Sequence, residues 1–90
     1  MKTFSDIKRA LTEGSTLTMI KHDWYPNAPM IDKPRKIIKR QSNAIQFEGG
    51  SWLHLDKPAS HFVANCFNEF SVLLNPDDNE PKYMTYRISF

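Results

Sequence analysis

Three histidines and one cysteine are the residues of this chain with the widest chemical range. His22-Asp23, His54-x-Asp56, His61 and Cys66 are donors that a metal ion uses. None of them falls at a paired ligand spacing such as HxxxH, HExxH or CxxC, so no metal site is expected. His54 set across a ladder from Arg35 or Lys39 would pair a general base with a cation, as small ribonucleases do beside phosphate. No nucleophile elbow accompanies it, and the only adjacent glycines, Gly49-Gly50, sit in a turn motif and not in a phosphate-binding loop. The expectation is a protein without catalytic residues or a cofactor.

The stretch KPRKIIKR, residues 33–40, concentrates five positive charges with no negative one. The whole chain carries 12 bases and 10 acids, so the remainder is net acidic and any positive field is local to this run. In a regular strand Arg35, Ile37 and Lys39 share one side, and Lys36, Ile38 and Arg40 share the other. Only one set can face solvent. The other must pass the sheet edge, sit at a bulge, or lay its stems on apolar surface.

Two aromatic groups extend the argument. Trp52, read on an outward face, joins Arg35, Lys36, Lys39 and Arg40 as a platform on which single-stranded RNA or DNA would stack. Against this, edge strands carry Lys and Arg simply to prevent edge-to-edge pairing. Trp24 and Tyr25, flanked by Pro26 and Pro29, form either an exposed protein-contact pair or, for Trp24, a plug over an open barrel end. The leading reading is a non-enzymatic binding protein whose partner is another protein. Nucleic-acid binding is the alternative, and a nuclease-like enzyme stands behind both.

Elements must position these residues. Ninety residues form one domain, 1–90, with room for a single core. Six Phe, three Tyr and two Trp supply large buried areas to a chain whose lone cysteine forbids an internal disulfide. A free thiol, no apolar leader at MKTFSDIKRALTEG and no run long enough to cross a bilayer predict a soluble, cytoplasmic protein.

Residues 3–13 read as a helix, with Thr3 and Asp6 as a capping box, Phe4, Ile7 and Leu11 as its apolar stripe, and Gly14 beyond its end. Residues 15–90 then read as sheet. STLTMIKHD places Leu17 and Met19 on one face, with Ile20 and His22 on the other. Residues 24–34 form a proline-rich loop. RKIIKRQ and AIQFE are strands joined at Ser42-Asn43, with Ile45 and Phe47 inward and Ala44 and Gln46 outward. After the Glu48-Gly49-Gly50 turn, SWLHL places Leu53 and Leu55 inward, leaving Trp52 and His54 outside.

FSVLL and YMTYRISF, joined by NPDDNEPK, read as a closing hairpin, with Met84, Tyr86, Ile88 and Phe90 alternating. HFVANCF is read as a short strand with a tight turn at Asn65, or as a helical turn started by Pro58 or Ser60. One docked helix with five or six antiparallel strands is an α+β domain whose curved sheet resembles an SH3-like roll, a half-open barrel. Its expected core is Phe4, Ile7, Leu11, Leu17, Ile45, Phe47, Leu53, Phe70, Val72 and Tyr86.

At RKIIKRQSNAIQF, GSWLHLDKP and the closing MTYRI the chain resembles small uncharacterised proteins of bacteriophages and prophages. The likeness is one of layout: a short helix, an Arg-Lys-aliphatic strand, a Ser-Trp-Leu strand and a Tyr-containing last strand. It implies a mobile-element accessory protein that binds or inhibits a target. It carries over no functional residue, and the Trp24 loop and NPDDNEPK have no counterpart in it.

Overall fold

The computed structural model describes residues 2–77 and 79–89. Helix α1, Phe4–Ala10, opens with the expected capping box. The Thr3 hydroxyl accepts the Asp6 N–H (3.2 Å), and the Asp6 carboxylate accepts the N–H groups of Thr3 (3.1 Å) and Lys2 (2.9 Å). The helix is shorter than its apolar pattern foretold. Leu11 leaves helical geometry as the C-cap, yet stays fully buried beside Ile7. Gly14, with φ of 90°, makes the turn into the sheet and donates to the Ile37 carbonyl at 2.9 Å.

The strands are β1 Thr16–His22, β2 Pro34–Gln41, β3 Ala44–Phe47, β4 Trp52–His54, β5 Phe62–Cys66, β6 Glu69–Leu73 and β7 Tyr83–Ser89. They pair antiparallel in the order β4-β3-β2-β1-β7-β6-β5. The α+β architecture is therefore as read, but the described residues hold seven strands where five or six were expected. The sheet is not closed, and β4 and β5 are its free edges.

The extra strand comes from HFVANCF, where both alternatives are realised in succession. A 3-10 turn over Ala59–His61 begins at Pro58 and leads straight into β5. The tight turn then falls at residues 67–68 and not at Asn65. Asn65 stays in the strand, donating through its amide to Ser71 Oγ at 2.9 Å. The Ser42-Asn43 turn and the hairpin of β6 with β7 are found where the sequence placed them. Phe90 lies outside the described residues.

Three irregularities break the ladders, between Met19 and Lys21, Ile37 and Lys39, and Ala64 and Cys66. Each leaves one residue unpaired and sharpens the bend of its strand. Two of them also move side chains from one face to the other. Beyond Ile20, His22 pairs with Met84, and Met19 with the inward-facing Tyr86. His22 thus belongs to the Met19 face, opposite to the face on which strict alternation from Ile20 placed it.

One face of the sheet holds the core: Ile7 from α1 and Leu11 at its C-cap against Leu17, Met19, Ile37, Ile45, Phe47, Leu53, Leu55, Phe62, Phe70, Val72, Tyr86 and Ile88. Each fully buried aliphatic or phenyl side chain contributes about 1.5–3 kcal/mol. Phe4 is half-buried and stacks on Phe62 with ring centroids 4.3 Å apart. This stack fastens the helix to the β5 edge. Ala44 departs from expectation: it lies on the outward row, opposite His54, yet is buried. No helix among the described residues is long and apolar enough to cross a membrane.

Candidate functional site

The chain between β1 and β2, residues 23–33, is a long connection held in one shape by its own backbone. At its root the Asp23 N–H donates to the Tyr83 carbonyl (3.0 Å), and the Tyr83 N–H donates to the Asp23 carboxylate (2.8 Å). The Tyr25 N–H donates to His22 Nδ1 (3.1 Å), leaving the ring proton on Nε2. The Ala28 and Ile31 N–H groups close successive turns, and the Asp32 N–H returns to the Met19 carbonyl at 2.8 Å. Asp32 takes a positive φ of 65° at that return.

This frame presents aromatic surface. Trp24 is 49% exposed and Tyr25 64% exposed, with Met30 also exposed. Trp24 is about half exposed on the loop surface and does not line the cleft beneath it. A shallow groove of about 530 Å³ runs over Trp24, Tyr25, Pro26 and Pro29.

Beneath the loop lies a cleft of about 390 Å³. Met19, His22, Met84 and Tyr86 form its floor on β1 and β7, Arg35 and Phe47 come from β2 and β3, and Tyr25, Met30 and Trp52 stand at its rim. The Arg35 guanidinium carbon sits 4.0 Å from the Phe47 ring centroid. Burial raises the Tyr86 phenol above its ordinary range, and the neighbouring Arg35 cation partly opposes that rise. The Tyr86 hydroxyl donates to Met84 Sδ at 3.4 Å.

The five-charge run is divided between the two faces. Ile37 pairs with Phe47 and faces the core, which draws Arg35, two residues earlier, inward as well. After the bulge at Ile38, Arg40 pairs with the inward Ile45 and reaches the helix, donating to the Lys8 carbonyl at 3.3 Å while its N–H donates to Glu13. Lys33, Lys36 and Lys39 remain exposed. Lys39, Gln46 and Trp52 follow one another across β2, β3 and β4, and Lys39 Nζ lies 6.0 Å from the Trp52 ring centroid. Of the residues named for nucleic-acid contact, Lys36, Lys39 and Trp52 are thus exposed, while Arg35 and Arg40 are turned in.

Other candidate constellations are not assembled. Among the described residues no group of three or more His, Cys, Asp or Glu side chains comes together. Arg35 and His54 occupy opposite faces of the sheet. Cys66 is exposed, its thiol 3.3 Å from Asn68 Oδ1. The cleft around Arg35 and His22 was not found from the sequence, because alternation left open which side of the basic run faces solvent and placed His22 on the opposite face; the bulges at Ile38 and Ile20 bring the two together.

No protein-family model matches the chain, and neither a curated protein nor a solved structure matches it.

Proposed function

We propose that this chain is a non-enzymatic binding protein of phage or mobile-element type, working in the cytoplasm, whose loop at residues 23–33 contacts another protein. The observation that supports this reading is the exposure of Trp24 and Tyr25 on a loop already fastened at both ends. Aromatic side chains dominate the energetics of protein interfaces, and a loop that needs no further ordering loses little entropy on binding. Pro26 and Pro29 stiffen the same segment. The bent, open sheet serves as an SH3-like roll that carries the loop.

Capture of partners from a bacterial lysate, compared between the native chain and a Trp24→Ala, Tyr25→Ala double variant, tests the reading. A partner held by the native chain and lost by the double variant is expected. Equal capture by both would remove the loop from the interface.

A second reading, binding of single-stranded nucleic acid, is favoured by one observation. Lys39 and Trp52 stand side by side on the exposed outer row, a cation beside a stacking surface.

A further inference from the structure

No ion pair found among the described residues includes Arg35. The ion pairs among the described residues join Arg9 to Asp6, Lys21 to Asp23 and Arg87 to Glu69. The Arg35 Nε is buried and meets no hydrogen-bond acceptor. Its charge rests on the face of Phe47 and beside the neutral Tyr86 phenol, and neither supplies a negative charge to balance it. An Nε–H withdrawn from water without an acceptor is held at a cost, and an anion at this half-buried guanidinium would offset it. Its planar fork fits a carboxylate, two oxygens to two N–H groups.

The surroundings define what must carry that carboxylate. Met19, Met30 and Met84 line the cleft with unbranched, polarisable side chains that adapt to a guest. Tyr25 and Trp52 add ring faces at the rim. The volume, about 390 Å³, lies at the small end of the roughly 300–1,000 Å³ typical of ligand pockets. Arg35 is the one lysine or arginine in the lining, so a single negative charge is balanced. A dianion would find no second lysine or arginine in the lining to balance its other charge.

We propose that this cleft binds a small organic monocarboxylic acid, its carboxylate paired with Arg35 and its apolar or aromatic body packed among the methionines beneath the loop. The cleft adjoins the protein-contact surface and shares Tyr25 with it, while Trp24 takes no part in the cleft.

The test uses 4-phenylbutyrate against its uncharged analogue 4-phenylbutan-1-ol, followed by the methyl resonances of Met19, Met30 and Met84 and by tryptophan fluorescence. The acid is expected to shift those methyl resonances and to bind at least about tenfold more tightly than the alcohol, as a charge-assisted pair requires. Arg35→Met should erase the preference, and Arg35→Lys should weaken it. Arg35→Met is expected to fold, because an apolar chain replaces a half-buried cation that has no ion pair among the described residues, and thermal unfolding checks this. If it does not fold, the acid-against-alcohol comparison on the native chain decides alone. Equal binding of the two probes, no binding of either, or shifts that avoid the three methionines would overturn the proposal. A short peptide ending in phenylalanine with a free carboxylate serves as a further arm. Binding of that peptide without binding of the free acid would assign the cleft to a protein terminus and overturn the small-acid proposal too.

Discussion

Asp23 and Tyr83 hold each other through two hydrogen bonds, N–H to carbonyl in one direction and N–H to carboxylate in the other. The pair closes the end of the β1–β7 ladder at the point where the aromatic loop departs. It is therefore both a sheet terminus and the root of the candidate site.

The pair has a pH signature. The Tyr83 N–H holds the Asp23 carboxyl below its ordinary value of 3.8, with burial opposing and Lys21 assisting. A lowered carboxyl contributes stability that is complete above the unfolded value and is lost as pH falls through the folded one. Urea unfolding from pH 7 down to pH 2 should show stability declining below about pH 4. Asp23→Asn should flatten part of that decline and cost about 1–2 kcal/mol at pH 7. A variant with the native pH profile would show that the carboxylate bond carries no stability.

At the other end of the chain, Thr3→Ala removes the hydroxyl that caps α1 and should cost about 1 kcal/mol in urea unfolding at pH 7. Asp6 contributes on the acid side: the N–H groups of Lys2 and Thr3, with the Arg9 guanidinium, lower its carboxyl to about 2. Its share is complete above the ordinary value of 3.8 and is lost progressively as pH falls from there through about 2. Thr3→Ser, which keeps the hydroxyl, should behave nearly as the native chain does.

Helix α1 is bound to the fold by Ile7 and Leu11, both fully buried. Ile7→Ala leaves a cavity in the core of a small domain and should destabilise it by roughly 2–5 kcal/mol. Deleting residues 1–13 should make the remainder protease-sensitive, since the core face of the sheet loses its cover. A truncated chain as resistant as the native one would show that the sheet needs no helix.

For the nucleic-acid reading, the faces taken by the basic run set a number. With Lys36 and Lys39 outward and Arg35 and Arg40 turned in, about two phosphates are neutralised, for a log–log salt slope of roughly −1.4 on a single strand. A fluorescence titration with a mixed oligonucleotide at several salt concentrations measures it. Lys39→Ala and Trp52→Ala should each weaken binding, and Arg40→Ala should leave it nearly unchanged apart from stability. No binding at low salt would return the lysines to the plain role of a solvated strand surface.

Much of the fold was determined by local physics that the chain writes in order. A hydroxyl and a carboxylate three residues apart can cap a helix wherever it docks, and Thr3 and Asp6 do so. Alternation assigned Leu17, Ile45, Phe47, Leu53, Phe70, Val72 and Tyr86 to the interior because a strand has two faces and water penalises the wrong choice. Turn chemistry placed the chain reversals at Ser42-Asn43 and at Gly49-Gly50, where φ near 100° suits glycine alone.

The site was decided by tertiary structure, and the reason is a matter of one residue. Counting regular pairs back from the Ser42-Asn43 turn sets Ile38 opposite Phe47, which would send Arg35 out to solvent. The bulge at Ile38 sets Ile37 there instead, and with it brings Arg35 onto the Phe47 ring. The unpaired Ile20 does the same for His22. Bulges are chosen by how a whole sheet must bend to enclose its core, a long-range demand that no local pattern records. The sequence by itself therefore determined which residues line the interior of most strands, while the packed sheet decided which charges were carried inside with them.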